Sequence, residues 1–442
     1  MLKRILSSRS QRAGMSRSIS RQMIGGDWAL SHPKEVRKNL RRFWFDGFFS
    51  SACDNILITY LSLYILALGA TNAQIGLLSS LSSLVAALTL LPAALLVEKI
   101  GQRKRIVVAG ASINRLAVLF LAVLPLILGG KSLVFIGIVF VLVRDFGSNL
   151  IYPAWVSMTA DIVPLEGRGR YFASRNFAMG VAGMAVTLIA GELITRSGLL
   201  LGYQLALGAA FFFGAVNILF FSRISEPLPS STTQVPRSMG FQAAFGDLRK
   251  EPAFLVVAGT AALWNFSLNI AGPFFNIHMV QNLDASATMV ALTTIASIIA
   301  GLLAQRKLGY LVDRWGASRL QMISGLIIPI LPLSWAFVTE PWQIIPINLV
   351  GGALWGAYNL ASFNYLLTVI PEGYRERYSA IYQVVVMISL SIGAASGGII
   401  VTRWGFFAVF IASACVRILA AFLFWYFINR RTKELQLGHY SR

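Results

Sequence analysis

Long apolar runs constrain the fold of this chain more than any other feature of its sequence. Each reaches the roughly 20 residues that a helix needs to cross about 30 Å of hydrocarbon. The short alternating segments of a transmembrane barrel are missing, so helices are left as the way to satisfy the backbone in lipid. We predict an all-α membrane protein with twelve transmembrane helices, at residues 43–68, 74–97, 106–128, 132–160, 171–196, 200–222, 253–281, 286–312, 318–338, 342–370, 377–402 and 405–428.

The charge of the chain agrees with this assignment once its distribution is considered. The formal net charge is +20, although only 13% of the residues are charged and 56% are apolar. In a soluble protein such a balance would suggest nucleic acid as a partner. Here most Lys and Arg residues lie before the first span, in alternate loops and after the last span. The positive-inside rule then places both termini in the cytoplasm, and we expect a multi-pass protein of the plasma membrane with no nucleic-acid partner.

One charged turn occurs twice, about half the chain apart. The stretch AALLVEKIGQRKR at residues 93–105 ends the second predicted span, and GYLVDRWGASR at residues 309–319 ends the eighth. Both place an acid and a base before a glycine, with three basic residues after it in the first copy and Arg319 after it in the second. The repetition indicates two copies of one unit, with the turn formed by Glu98, Lys99, Gly101 and Arg103 in the first copy and Asp313, Arg314 and Gly316 in the second.

A second repeat fixes the relative direction of the two copies. PLEGRGRYFA at residues 164–173 matches PEGYRERYSA at residues 371–380, and at the same spacing Thr195 to Gly198 matches Thr402 to Gly405. These matches lie at opposite ends of corresponding helices, so the copies share direction as well as pattern. Parallel repeats related by an axis along the membrane normal behave in this way.

Two six-helix repeats with a basic glycine turn after the second span resemble the major facilitator superfamily. The family turn, approximately G-x-L-x-D-R-x-G-R-R/K, keeps Gly309, Leu311, Asp313, Arg314 and Gly316 in the second copy. The first copy departs from it, with Ala94 in place of the leading glycine and Glu98 in place of Asp. The resemblance covers residues 43–428 and implies two pseudo-symmetric six-helix bundles around a central cavity.

The remaining segments divide the chain into five parts. We predict a basic cytoplasmic arm at residues 1–42, the first bundle at 43–222, the second bundle at 253–428 and a cytoplasmic tail at 429–442. The segment between the bundles, residues 223–252, is rich in Pro, Ser and Thr and is typical of a linker. It ends in a pattern that predicts a short interfacial helix.

Polar side chains recur at helical spacing in the first, fourth, seventh and tenth spans. In lipid, such a face must look toward protein or a water-filled cavity. The resemblance implies that the same four helices line the central cavity, although hydrogen bonding between packed helices is the alternative for any single residue. With two deep arginines added, the predicted cavity residues are Asn55, Thr59, Arg115, Tyr152, Trp155, Asn265, Asn269, Asn276, Trp355, Tyr358, Asn359, Tyr365 and Arg417.

Ionisable groups deep in the spans are candidates for coupling transport to protons. A charge at the bilayer centre costs about 2.5–3.5 kcal/mol even on the lenient insertion scale. We hypothesise that Asp54 pairs with Arg144, beside Asp145, and binds and releases a proton as its surroundings change. A permanent structural ion pair is the alternative interpretation of the same residues.

The repeated turns predict a latch on the cytoplasmic side. A helix N-terminus favours a nearby carboxylate, because its N–H groups are unpaired and its dipole end is positive. We expect Glu98 to lie near Arg375 and Arg377 at the start of the eleventh helix. Asp313 is expected near Arg168 and Arg170 at the start of the fifth.

These features predict a secondary transporter that works by alternating access, and neither an enzyme nor a metal or cofactor site. The first hypothesis is proton-coupled efflux of a small organic molecule. Proton-coupled uptake of a sugar-like or weakly anionic nutrient is the alternative, and a lipid flippase or non-transporting adaptor is a third. The expected partners are a small-molecule substrate, membrane lipid and the proton, with a monomer as the working form.

Overall fold

Long helices joined by short turns make up the structure, a computed structural model that describes residues 26–226, 252–369 and 375–440. No strand occurs in these ranges. The predicted interfacial helix near the end of the linker, and the arm before residue 26, lie outside them. The helices are α1 (Lys34–Ala67), α2 (Asn72–Ile100), α3 (Arg103–Ile127), α4 (Lys131–Ile162), α5 (Arg168–Ser197), α6 (Leu199–Ser222), α7 (Pro252–Ala271), α8 (Phe275–Gln281), α9 (Ala287–Trp315), α10 (Ala317–Ile327), α11 (Ile330–Ala336), α12 (Ile344–Val369) and α13 (Arg375–Tyr440).

The helices account for the predicted crossings of the membrane. Among the described residues, 11 stretches are long and apolar enough to span a bilayer. The last, Ile381–Phe427, extends over 47 residues, which is about twice the length of one crossing. Its helix α13 is interrupted at Gly405, where φ is 78°. The stretch therefore contains two crossings, and the prediction of an all-α fold with twelve spans is confirmed.

The glycines of the repeated turns share a positive φ. Gly101 has φ 67° and Gly316 has φ 80°, in the positive region that glycine enters without steric cost. At the opposite helix ends, Gly198 (φ 81°) and Gly405 (φ 78°) also correspond. Each of the two sequence repeats thus has a structural counterpart in a turn that requires glycine.

Unit 1 comprises the described residues of Met1–Leu61 and Leu88–Gln234. Within it, α3 packs on α4 and α6, and α5 packs on α6. A buried apolar cluster joins these helices to α1 and to the short 3-10 segment Asp27–Ser31. The cluster consists of Trp28, Ala29, Leu40, Phe43, Ile106, Val107, Ala154, Met158, Ile162, Val163, Tyr171, Phe221 and Ile224.

Unit 2 comprises the described residues of Ser62–Ala87 and Val235–Arg442. Helix α7 packs on α13, and α12 packs on α9 and α10. The first half of α2 belongs to this unit because it contacts α13. A Cβ on Gly76 would lie 2.6 Å from Gly398 Cα, and the hydroxyls of Ser80 and Ser391 are 3.0 Å apart. The predicted bundle boundaries, 43–222 and 253–428, do not separate α2 in this way and stay a prediction.

Candidate functional site

A cavity of about 270 Å³ lies inside unit 1 and is walled by α1, α3, α4, α5 and α6. Its lining from α1 consists of Asp46, Ser50 and Asp54, spaced four residues apart and therefore on one face of the helix. Arg115 from α3 and Arg175 from α5 bring two positive charges to the same cavity. The remaining lining residues are Val107, Val108, Ala111, Asn114, Ser148, Ile151, Tyr152, Trp155, Met179, Asn217, Ile218 and Phe221.

Asp54 is paired with Arg115 rather than with Arg144. Arg115 Nη1 lies 3.1 Å from Asp54 Oδ1, while Ser50 Oγ donates to Asp54 Oδ2 over 2.9 Å. The predicted partner Arg144 instead contacts Asp145, with 2.6 Å between Nη1 and Oδ1. The prediction of an Asp54–Arg144 pair is therefore corrected. Arg144 has a carboxylate as its neighbour in the chain, so it does not need one on α1.

A single guanidinium nitrogen of Arg115 serves several acceptors. Besides Asp54, Nη1 lies 2.9 Å from Cys53 Sγ and 3.0 Å from Asn114 Oδ1. The arginine lies directly against Gly214 of α6, where a Cβ would come within 2.6 Å of Nε. Glycine at this position is what allows a long cationic side chain to pass between α3 and α6.

A second buried ion pair joins Asp46 to Arg175. Arg175 Nη2 lies 3.3 Å from Asp46 Oδ2, and Asn217 Nδ2 donates to Asp46 Oδ1 over 2.5 Å. The guanidinium also packs over the ring of Phe43, 4.3 Å from its centroid. It crosses α1 at Gly47, where a Cβ would lie 2.5 Å from Nε. Helices α1, α5 and α6 are thus joined by one charged cluster.

The sequence pattern did not predict this charged cluster. Asp46 lies near the start of the first predicted span, outside its polar stripe, and Arg175 lies near the start of the fifth. The spacing of Asp46, Ser50 and Asp54 was the available signal. Nothing in the sequence paired Asp46 with Arg175.

The predicted cavity residues of unit 1 divide into two groups. Tyr152 and Trp155 lie in the lining together with Arg115. Asn55 instead donates to the Ser51 carbonyl on its own helix and packs against Gly183 of α5. Thr59 is buried and lies outside the lining.

Several of the predicted cavity residues of unit 2 contact neighbouring helices. Asn265 donates to the Ala261 carbonyl of its own helix, and Asn269 donates to the Leu390 carbonyl of α13 over 2.8 Å. Trp355 and Tyr358 pack around Trp264, whose ring stacks on that of Tyr358 with centroids 4.5 Å apart.

Four further predicted residues of unit 2 have other surroundings. Tyr365 contacts Phe424 edge to face, with centroids 5.6 Å apart. Asn276 lies in α8 and Asn359 is exposed. Arg417 is buried in α13. A pocket of about 20 Å³ in this unit includes only Tyr358 of the predicted set.

Two of the gating residues whose side chains are described, Arg103 and Arg168, make contacts inside their own unit. Arg103 Nη1 lies 2.5 Å from Asp161 Oδ2, and Arg103 Nε lies 3.3 Å from Glu226 Oε1. Arg168 donates to the carbonyl oxygens of Ala160 and Val163 at the end of α4. Lys99, Arg170 and Arg314 are exposed.

The latch itself falls outside the described residues. The side chains of Glu98, Asp313, Arg375 and Arg377 are not among those that the structure describes. The predicted contacts of Glu98 with the start of the eleventh helix, and of Asp313 with the start of the fifth, therefore stay predictions. The described residues also contain no group of three His, Cys, Asp or Glu side chains placed to hold a metal ion.

Comparison with known proteins identifies the fold and the family. The family model for the Major Facilitator Superfamily matches residues 43–270 and 257–439. The chain is 23% identical to the multidrug resistance protein MdtG of Serratia proteamaculans (strain 568) over 412 residues, which cover 90% of this chain and 96% of that one. It is 26% identical to MdtG of Citrobacter koseri (strain ATCC BAA-895 / CDC 4225-83 / SGSC4696) over 424 residues, covering 91% and 98%.

Two solved structures resemble the fold closely at low sequence identity. The nucleoside transporter NupG matches with a TM-score of 0.68 and 14% identity, over 88% of this chain and 98% of that one. The D-xylose–proton symporter matches with a TM-score of 0.67 and 15% identity, over 88% and 96%. At this identity the likeness concerns the fold alone.

Proposed function

The chain belongs to the major facilitator superfamily, and we propose that it exports a small amphipathic organic molecule from the cytoplasm in exchange for protons. The observation that carries the proposal is the cavity in unit 1, where a membrane-embedded carboxylate, Asp54, faces the space beside its partner Arg115. The names of the MdtG relatives, as multidrug resistance proteins, support export. Plasma-membrane location with both termini inside belongs to the same proposal.

Asp54 would carry the proton. Its carboxylate oxygens accept hydrogen bonds from Arg115 Nη1 over 3.1 Å and from Ser50 Oγ over 2.9 Å. Protonation would remove the attraction to Arg115, which has Cys53 and Asn114 as its other acceptors. Arg115 could then keep hydrogen bonds while its ion pair is lost, so loading a proton would not leave the guanidinium bare.

Alternating access would convert this local change into transport. A ligand or proton shifts a conformational equilibrium only by as much as it binds the two states differently. Asp54 meets this requirement if Arg115 approaches it in one state and withdraws in the other. The predicted bundles at 43–222 and 253–428 would be the moving halves, with the Glu98 and Asp313 latch closing their cytoplasmic side. Arg144 and Asp145 stay in the proposal as a second pair on α4, joined to α3 through Asn114.

The test is proton exchange in inverted membrane vesicles that contain the full chain. A proton gradient is established, a panel of amphipathic compounds is added, and a pH-sensitive dye reports protons leaving the lumen. We expect at least one compound to release protons with the wild type and none to do so with Asp54→Asn. Glu192→Gln is the matched control, since Glu192 pairs with Arg196 outside the cavity. Compound-driven proton release that persists in Asp54→Asn would contradict the assignment of Asp54.

Uptake with protons is the second candidate, because the lining also carries Asn114, Ser148 and Asn217. Such amide and hydroxyl groups suit a hydroxylated nutrient. The two directions of coupling are separated by right-side-out vesicles. Compound and proton would enter together in uptake, whereas they would move in opposite directions in export.

A further inference from the structure

We propose that the cavity of unit 1 binds its substrate through a protonated amine, with the carboxylate of Asp54 as the acceptor. This inference rests on the proposed function, because it names the chemical class of substrate for the same cavity. It replaces the sugar-like or weakly anionic molecule that the sequence had left open.

The cavity lining carries two carboxylates and two guanidinium groups, so its formal net charge is zero. Whether it prefers a cationic or an anionic ligand therefore depends on which of these groups the ligand can reach. The side chain of Asp54 is 41% exposed, whereas that of its partner Arg115 is 8% exposed. In the second pair, Asp46 and Arg175 are each 5% exposed. Both guanidinium groups are therefore enclosed by protein, and the one charged group of this lining open to a ligand is a carboxylate.

The carboxylate of Asp54 has acceptor capacity left over. An ionised carboxylate offers about four lone-pair sites, and among the described contacts Oδ1 accepts from Arg115 and Oδ2 accepts from Ser50. The Arg115 nitrogen that donates to Oδ1 is itself divided between Asp54, Cys53 and Asn114. A ligand ammonium group with its own N–H donors can occupy the remaining acceptor sites.

The rest of the lining suits a small amphipathic amine. Tyr152 is 58% exposed, and it stands three residues from Trp155, so both rings lie on one side of α4. Aromatic faces attract organic cations through the ring quadrupole, and Tyr152 is the ring available for this, because the Arg175 guanidinium already lies 5.9 Å from the centroid of Trp155. Val107, Ile151 and Phe221 provide apolar surface for the body of the ligand.

Size and charge both limit what else can bind. A volume of about 270 Å³ lies just below the range of roughly 300–1,000 Å³ that is typical of sites for drug-sized ligands. A carboxylate ligand would meet Asp54 before either arginine, and like charges that close repel. A neutral alcohol fits the space but lacks the charge-assisted hydrogen bond.

The experiment uses three probes that share a phenylbutyl body and differ only in the terminal group. Phenylbutylamine carries an ammonium group, phenylbutanol a hydroxyl, and phenylpentanoate a carboxylate. Binding to the purified full chain in detergent micelles is measured by saturation-transfer NMR competition and calorimetry, and empty micelles give the background. We expect the amine to bind the wild type at least roughly tenfold more tightly than the alcohol, which is the effect of a hydrogen bond to a charged group.

Variants then assign the preference to one residue. Asp54→Asn should reduce the amine-to-alcohol ratio to within about threefold, while Glu192→Gln should keep the wild-type ratio. Tighter binding of the carboxylate, equal binding of amine and alcohol, or no binding of any probe would overturn the inference. So would an amine preference that survives in Asp54→Asn.

Failure of the inference that the substrate is an amine is distinguishable from failure of the proposed proton-coupled export. If Asp54→Asn abolishes compound-driven proton release while the probes show no preference for the amine, proton-coupled export stands and the substrate class is wrong. If the amine binds through Asp54 but no compound releases protons, the site stands and the coupling is wrong.

Discussion

Arg115 reaches Asp54 from α3 by lying against Gly214 of α6, and 3.1 Å separates Arg115 Nη1 from Asp54 Oδ1. The ion pair that faces the cavity thus depends on a glycine that contacts neither substrate nor proton. The Asp46–Arg175 pair depends on a second glycine, Gly47, because the Arg175 side chain crosses α1 at that residue to reach Asp46. Small residues that let helices or side chains approach closely are a general means of packing in membranes.

Gly214→Ala should displace Arg115 and weaken transport. The new Cβ would lie 2.6 Å from Arg115 Nε, and overpacking of this kind costs about 1–3 kcal/mol. We expect a lower melting temperature in detergent together with reduced compound-driven proton release. The control is Gly208→Ala on the same helix, where a Cβ has no neighbour within 4 Å. Equal behaviour of the two variants would mean that Gly214 does not position the arginine.

Loss of one member of the Asp46–Arg175 pair should destabilise the protein more than loss of both. Asp46→Asn leaves the enclosed guanidinium without its counter-charge, and breaking a buried pair in this way costs about 3–5 kcal/mol. The double variant Asp46→Asn/Arg175→Gln removes both charges and should recover part of that loss. The melting temperatures of Asp46→Asn, Arg175→Gln and the double variant form a double-mutant cycle. If the effects of the two single changes add up in the double variant, the two residues are not coupled.

Gly76→Ala should separate α2 from α13 within unit 2. Its Cβ would lie 2.6 Å from Gly398 Cα, so backbone rather than a flexible side chain must move. We expect reduced thermal stability and loss of the contact between Ser80 and Ser391, which a Ser80→Cys/Ser391→Cys pair can report by cross-linking with and without the Gly76→Ala change. Gly259→Ala on α7 has open space around its Cβ and is the control. Unchanged cross-linking in the Gly76→Ala background would contradict the prediction.

Trp28→Ala should loosen the segment before α1 from the rest of unit 1. The indole is buried in the apolar cluster and lies against Gly167, where a Cβ would approach Trp28 Cε2 to 2.6 Å. Removing a buried Trp costs about 3–5 kcal/mol, which a thermal melt of the purified chain can measure. Leu30→Ala, at a half-exposed position in the same segment, should leave the melting temperature within the error of the wild type. If the Trp28→Ala and Leu30→Ala variants have the same melting temperature, the packing of Trp28 in the apolar cluster adds no stability.

Particular residues mark the limit of what could be predicted. Gly101 and Gly316 were recognised because a turn with positive φ restricts the sequence locally. Tyr152 and Trp155 were placed in a cavity because helical spacing puts them on one face. Asp54 was recognised as a membrane-embedded acid, but its partner was misassigned, and Asp46 was missed. Spacing along a helix says which residues share a face, and it does not say which side chain of another helix will meet them.

The sequence by itself determined the all-α membrane fold, the twelve crossings and their duplication. These depend on run lengths, on glycines at turns and on local repetition, all of which act within a few residues of the chain. Tertiary structure alone decided that Asp54 pairs with Arg115, that Asp46 pairs with Arg175, and that the carboxylate of Asp54 is the charge left open to the cavity. The physical reason is that an ion pair between helices is selected by which side chains can pass between them, and here Gly47 and Gly214 supply that space.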